Sequence, residues 1–163
     1  MSLPLNDISI KGADNRLVDR IDMDSPIHGI RGCFSCGRCS ASCPVKRAND
    51  SFNPRRTIRM AILGLEEEIV RSPFIWLCST CYTCQERCPQ GVKITEIMTT
   101  LKNLAFQDGN SPPGIALQWK ILEENGRLYP IDDFDNKKRA KAGLPTLKQK
   151  IDEVGRLLKD LER

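Results

Sequence analysis

"CFSCGRCSASCPV" (residues 33–45) and "CSTCYTCQERCPQGV" (residues 78–92) both read C-x2-C-x2-C-x3-C-P, and together they hold all eight cysteines of the 163-residue chain. Three thiols at successive spacings of three can wrap one face of an iron-sulfur cubane, whose corners need separate ligands. The fourth ligand must then come from elsewhere in the fold. In such a run the last cysteine, followed by proline, ligates the other cluster when two motifs are present. Pro44 and Pro89 occupy that position. A proline there removes an N–H and pushes the preceding cysteine toward an extended backbone, turning its thiol away from its own loop. The expected assignment is therefore crossed: Cys33, Cys36 and Cys39 with Cys88 on one [4Fe-4S] cluster, and Cys78, Cys81 and Cys84 with Cys43 on the other.

Zinc is the competing metal, since paired C-x2-C units also build structural zinc sites. Tetrahedral zinc wants two plus two ligands, which leaves the third cysteine of each run and its Cys-Pro partner unexplained. Disulfides need an oxidising compartment. The N-terminal "MSLPLNDISIKGADNR" has neither a basic n-region nor an apolar h-region, and no run approaches a membrane span, so the chain is read as soluble and cytoplasmic, with no membrane partner. Cysteines in that setting point to metal or redox chemistry.

The formal net charge of +4, with few aromatic residues, does not build a nucleic-acid surface. Two four-thiolate cubanes carry about 2− each, which offsets that charge. Arg31, Arg38, Lys46, Arg47, Arg55, Arg56, Arg87 and Lys93 lie near the cysteines in sequence.

Around the motifs the pattern is helical. Asn53 is a natural N-cap, Pro54 suits the first helical position, and Ile58, Ala61, Ile62, Leu65 and Ile69 keep helical spacing, with Gly64 as a break. Ser72 and Pro73 start a short helix that delivers Trp76, a packing residue shielding a cluster, and Cys78. Ile94, Ile97, Met98, Leu101, Leu104 and Ala105 form an apolar face ending at Gly109. Further helices are expected through Ile115, Leu117, Trp119 and Leu122 to Gly126, and in "DDFDNKKRAKAG", whose acids precede its bases. A last helix carries Leu147, Ile151, Val154, Leu157, Leu158 and Leu161, with Thr146 and Gln149 as its capping box. Its flanking Lys148, Lys150, Arg156, Lys159 and Arg163, and the polar N-terminal arm, are candidate docking elements. No segment reads as a strong strand, and no repeat extends beyond the cysteine runs.

No catalytic constellation stands out. His28 is the only histidine and has no serine or free cysteine to activate. No glycine-rich nucleotide loop is present. Redox centres without a substrate site define a relay.

"CGRCSASCP" and "WLCSTCYTCQERCPQGV", separated by "FNPRRTIRMAILGL", resemble the C subunit of heterodisulfide reductase from about Pro26 to Gly126. The resemblance implies a mainly α fold: an α-helical ferredoxin-like domain at 26–126 holding two [4Fe-4S] clusters, an N-terminal arm at 1–25 and a helical C-terminal extension at 127–163. Its implied partners are the heterodisulfide reductase A and B subunits. In that cytoplasmic complex electrons pass from the flavin-containing A subunit to the disulfide-reducing B subunit, within a larger hydrogenase- or formate dehydrogenase-linked assembly. The substrate in methanogens would be the coenzyme M/coenzyme B heterodisulfide, and sulfur-oxidising microbes use a similar subunit. The alternatives are the iron-sulfur subunit of a flavin dehydrogenase for an organic acid, and a structural zinc-binding adapter.

Overall fold

The computed structural model describes residues 16–24 and 29–161, with the side chains of residues 24 and 159–161 outside the description. His28, Pro26 and most of the expected arm lie outside the described residues, as do the side chains of Lys159 and Leu161 and the whole of Arg163. The described residues are mainly helical and contain no strand. They divide into two compact units, Met1–Ser111 and Pro112–Arg163.

The first unit begins with α1, Arg16–Asp24. Its Leu17, Val18 and Ile21 are fully buried in the core, so this part of the expected arm is structural and is not a free docking element. The side chains of α1 also hold the approach to the first cysteine run. Asp22 accepts a hydrogen bond from the Ile30 N–H at 3.0 Å, and Asp19 pairs with Arg31 at 2.7 Å. Arg31 is thus committed to α1.

Short helices α2 (Arg38–Ser42) and α3 (Pro44–Ala48) follow, then α4 (Pro54–Ile62). Asn53 caps α4 as expected, accepting from the Arg56 N–H at 3.2 Å. The same oxygen accepts from the Ser40 hydroxyl at 2.6 Å, and that hydroxyl accepts from the Arg55 N–H at 3.0 Å, which pins α2 to the start of α4. Gly64, at φ 71°, ends α4 with the Leu65 N–H on the Met60 carbonyl at 3.0 Å. This left-handed exit is one that glycine adopts without steric cost. After α5 (Glu66–Val70), the expected short helix appears as a 3-10 turn, Pro73–Leu77. Ser72 does not cap it, because its hydroxyl donates back to the Glu68 carbonyl at 2.5 Å.

Helix α6 (Thr83–Glu86) carries the third cysteine of the second run, and α7 (Ile94–Gln107) is the long helix of the unit. Ile94, Ile97, Met98, Leu101 and Ala105 are buried at helical spacing, against Ile58, Ile69, Ile75 and Phe52 in one core. Each of the larger side chains stabilises the fold by about 1.5–3 kcal/mol on burial, Ala105 by less.

In the second unit α8 (Pro113–Asn125) pairs with α10 (Asp152–Leu161). The contact boundary falls at Pro112, whereas the sequence reading carries the ferredoxin domain on to Gly126. At that glycine, φ 71°, a β-carbon would lie 2.4 Å from the Ile151 carbonyl oxygen, so only glycine lets the chain pass there. Helix α9 (Asp133–Lys141) starts with a capping box of Asp132 and Asp135. The expected Thr146/Gln149 box does not form. Asn136 takes both backbone groups of Leu147, at 2.8 and 3.0 Å, and Gln149 donates to Asp133 at 2.8 Å, so the last helix does not begin until Asp152. Leu147 therefore lies off that helix, on which Leu158 is buried and Leu157 exposed.

Candidate metal centre

The two cysteine runs share one backbone design. A 3-10 turn (Ile30–Gly32 or Pro73–Leu77) leads into an extended first cysteine, Cys33 at φ −75°, ψ 111° and Cys78 at φ −60°, ψ 117°. Two left-handed residues follow at matching places, Ser35 (φ 60°) and Gly37 (φ 84°) in the first loop, Thr80 (φ 55°) and Tyr82 (φ 60°) in the second. Each loop then enters a short helix that carries its third cysteine, Cys39 or Cys84. The repeat thus extends upstream of the cysteines into the two turns, "IRG" and "PFIWL", which share one residue at matching places, Ile30 and Ile75. Both isoleucines are fully buried, and the carbonyl of each accepts the N–H of its first cysteine, at 3.1 and 3.3 Å. Alternating left-handed residues turn successive backbone N–H groups toward a concavity, a geometry suited to anionic groups and iron-sulfur sites.

Exposure follows the same order in both loops. Cys33 and Cys78 are half-buried, Cys36 and Cys81 exposed, Cys39 and Cys84 buried. The fourth cysteines depart from their own loops. Cys43 is extended at φ −74°, ψ 120° before Pro44, and its Sγ accepts from the Lys46 N–H at 3.4 Å. Cys88 Sγ accepts from the Val92 N–H at 3.3 Å.

Two cavities result. One is lined by Cys33, Cys36, Cys39 and Cys88 with Phe34, Ser35, Gly37, Arg38, Arg55, Pro89, Gln90 and Ile94. The other is lined by Cys43, Cys78, Cys81 and Cys84 with Val45, Phe52, Pro54, Ser79, Tyr82, Ile94, Thr95 and Met98. Each cavity draws three cysteines from one run and the Cys-Pro cysteine from the other. Ile94, the first residue of α7, stands on both walls. Helices α2 and α6, which carry the two third cysteines, pack against each other.

Among the described residues no three Cys, His, Asp or Glu side chains are gathered so as to hold a single metal ion. The thiols stand around the cavities. Four ligands on one zinc ion would share a centre at about 2.3 Å from each sulfur, whereas a cubane takes each thiolate on a separate iron. The donor set, the left-handed loops and the N–H bonds to sulfur all fit a [4Fe-4S] cluster.

The thiols differ in acidity. Burial pushes the Cys39 thiol up, with Ser40 hydrogen bonds opposing. Burial also raises Cys84, against the pull of the Thr95 hydroxyl, which sits 3.6 Å from its sulfur. A hydrogen bond with the Thr83 hydroxyl, at 3.5 Å, holds the exposed Cys81 thiol below the ordinary thiol range.

Of the expected counter-charges, Lys46 pairs with Asp50 and Arg31 with α1, while Arg55 and Arg38 border the first cavity. Trp76 packs against the core and donates to the Asn110 carbonyl at 3.2 Å, but lines neither cavity and so shields neither cysteine set. Sequence reasoning missed Thr95 and Ile94 as cavity residues. Both open α7, and their distance in sequence from Cys43 and Cys78 hides that role.

The fold and this cysteine arrangement define an α-helical dicluster protein of the ferredoxin type, and residues 29–92 match the family model for the 4Fe-4S dicluster domain. The C2 subunit of the H(2)/formate:CoB-CoM heterodisulfide,ferredoxin reductase of Methanococcus maripaludis is 36% identical over 137 residues, 82% of this chain and 73% of that protein. The second C-type iron-sulfur subunit of the CoB--CoM heterodisulfide reductase of Methanocaldococcus jannaschii is 36% identical over 83% of this chain and 76% of its own length. The C subunit of the Ferredoxin:CoB-CoM heterodisulfide reductase of Methanosarcina mazei is 35% identical, over 82% and 81%. The chain belongs to the C-subunit family of CoB-CoM heterodisulfide reductase.

Proposed function

We propose that this chain is the electron-relay subunit of a heterodisulfide reductase complex, passing electrons from a flavin-containing A subunit to a disulfide-reducing B subunit, which acts on the coenzyme M/coenzyme B heterodisulfide. The observation that carries the reading is the pairing of two four-thiol cavities across Ile94. Cys33, Cys36, Cys39 and Cys88 hold one [4Fe-4S] cluster, and Cys43, Cys78, Cys81 and Cys84 the other. Such clusters, when bound, supply one-electron oxidation and reduction at potentials set by hydrogen bonds, charge and exposure.

The chain's own residues position and insulate. Buried Cys39 and Cys84 lie on the packed pair α2 and α6, which supports a short distance between the two sites. Exposed Cys36 and Cys81 bring each site to the surface, where a partner can exchange electrons with it. All eight thiols serve as ligands, so no nucleophile remains for the disulfide, and turnover belongs to a partner. Thiols that must stay reduced to serve as cluster ligands suit a cytoplasmic complex, and among the described residues no helix is long and apolar enough to cross a membrane.

The test is anaerobic reconstitution of the purified chain. It should bind about eight irons and eight sulfides, accept electrons from dithionite, and leave the heterodisulfide untouched until the disulfide-reducing partner is added. Disulfide reduction by the chain alone, at a rate near that of the complex, would overturn the relay.

A further inference from the structure

The two cysteine cavities are matched in backbone and in thiols but not in charge. Arg55 borders the first. Its placement there has a second, independent basis: the guanidinium Nη1 lies 3.4 Å from where a β-carbon on Gly37 would sit, so the side chain lies over the first loop itself. The residue is held from behind, since its N–H donates to Ser40 and it stands in the first turn of α4 beside Pro54. Among the described residues no carboxylate pairs with Arg55. Arg38, the other arginine on that wall, also borders a groove shared with Glu86 and Arg87.

The second cavity has no charged residue on its wall. Its non-thiol lining is apolar or hydroxylic, with Phe52, Pro54, Ile94 and Met98 as its largest apolar members. Lys102 does not line this cavity, and its ammonium donates to the carbonyl of the lining residue Cys78 at 2.8 Å, on the backbone side of the loop.

We infer that Arg55 makes the first site, that of Cys33, Cys36, Cys39 and Cys88, the more readily reduced of the two, so that a single electron on this chain resides there. The inference rests on the two-cluster reading above. One added electron takes a four-thiolate cubane from a total charge of about 2− to about 3−. No bond forms or breaks, and the electron that one cluster gains is the one the other loses. A guanidinium on the wall of the first cavity favours the more negative state, and an apolar wall opposes it in the second. Arg55 acts on the potential as a positioning residue and is not itself a ligand or a reactant.

The experiment is a redox titration of the full chain followed by electron paramagnetic resonance, with iron and sulfide measured on each sample. Ligand variants Cys36→Ser and Cys81→Ser mark which signal belongs to which site. In the unaltered chain the signal marked by Cys36→Ser should appear at the higher potential. Arg55→Gln should lower that midpoint by at least a tenfold change in the reduced-to-oxidised ratio, about 59 mV for one electron. Arg55→Lys should restore most of it, and the second signal should stay where it was. Arg56→Gln, which borders an open groove beside Cys33 but not the cavity itself, should move the first midpoint less than Arg55→Gln does and leave the second in place. Clusters present in full with both midpoints unmoved by Arg55→Gln, or moved equally, would overturn the inference while leaving the two-cluster reading intact. Protein that binds no iron or sulfide would overturn that reading and the inference with it.

Discussion

The first cysteine loop meets its second left-handed position with Gly37, the second loop meets the same requirement with Tyr82. Glycine accepts a φ of 84° without steric cost, whereas a tyrosine at φ 60° carries a penalty of about 1–2 kcal/mol. The difference has a physical reason on each side. A β-carbon at residue 37 would only touch the Arg55 guanidinium, so it is the left-handed φ of 84° that favours glycine in the first loop. Tyr82 lines the second cavity and covers it while staying about half exposed. The same backbone position thus lies under a cation in the first loop and supplies an aromatic cover in the second, so one loop shape serves two different surroundings.

Replacing Cys43 with Ser tests how far the two loops depend on each other, and the largest effect is expected here. The variant should lose or alter the cluster of Cys78, Cys81 and Cys84, and the helices should melt at lower temperature, because ligation is coupled to folding. Iron analysis and circular dichroism on one sample measure both. A change confined to the cluster of Cys33, Cys36 and Cys39 would mean that the ligation is not crossed.

The left-handed positions give a smaller contrast. Gly37→Ala should destabilise the cluster-loaded protein by about 1–2 kcal/mol. Tyr82→Gly relieves a comparable strain but adds about 0.5–1 kcal/mol of chain entropy to the unfolded state, so its net effect should stay within about 1 kcal/mol. Urea midpoints of the two variants should therefore separate, and equal losses would erase the distinction between the loops.

Smallest are the acidity differences, which are read in cluster-free protein. Cys81, exposed and held low by Thr83, should be alkylated first, while Cys39 and Cys84, buried and raised, should be modified last. Mass spectrometry at short times orders them, and Thr83→Val should slow Cys81 alone. The folded protein keeps protons on Cys39 and Cys84 that the unfolded chain releases above the ordinary thiol value of about 8.5. Their contribution to stability is complete below that pH and is lost as pH rises through their raised values. Cys81, with its lowered value, contributes only above the ordinary one, and its exposure keeps that opposing effect small. Cluster-free protein should therefore unfold at lower urea concentration above that pH than below it.

Much of the local structure is legible in residue order. Asn53 and Pro54 announce α4, Gly64 its end, and the spacing from Ile94 to Ala105 describes α7, because capping, left-handed exits and helical periodicity act within a few residues. The failures occur where a distant partner outcompetes a local one. The Thr146/Gln149 box is locally sound, yet Asn136 and Asp133 on α9 claim the groups it needs. The polar arm hides α1, whose Leu17, Val18 and Ile21 count as apolar only once a core exists to receive them.

The spacing of the eight cysteines, with a proline after each fourth one, determined by itself which cluster chemistry and which crossed ligation to expect, since both expectations follow from ligand geometry and the conformation proline imposes on its neighbour. Only the tertiary structure decided what surrounds each set of thiols. Residue order cannot show that Arg55 lies over Gly37, or that Ile94 walls both cavities while Thr95 reaches Cys84. These contacts join residues brought together by the packing of α2, α4, α6 and α7, and electrostatic environment depends on distance in space, which a one-dimensional pattern does not contain.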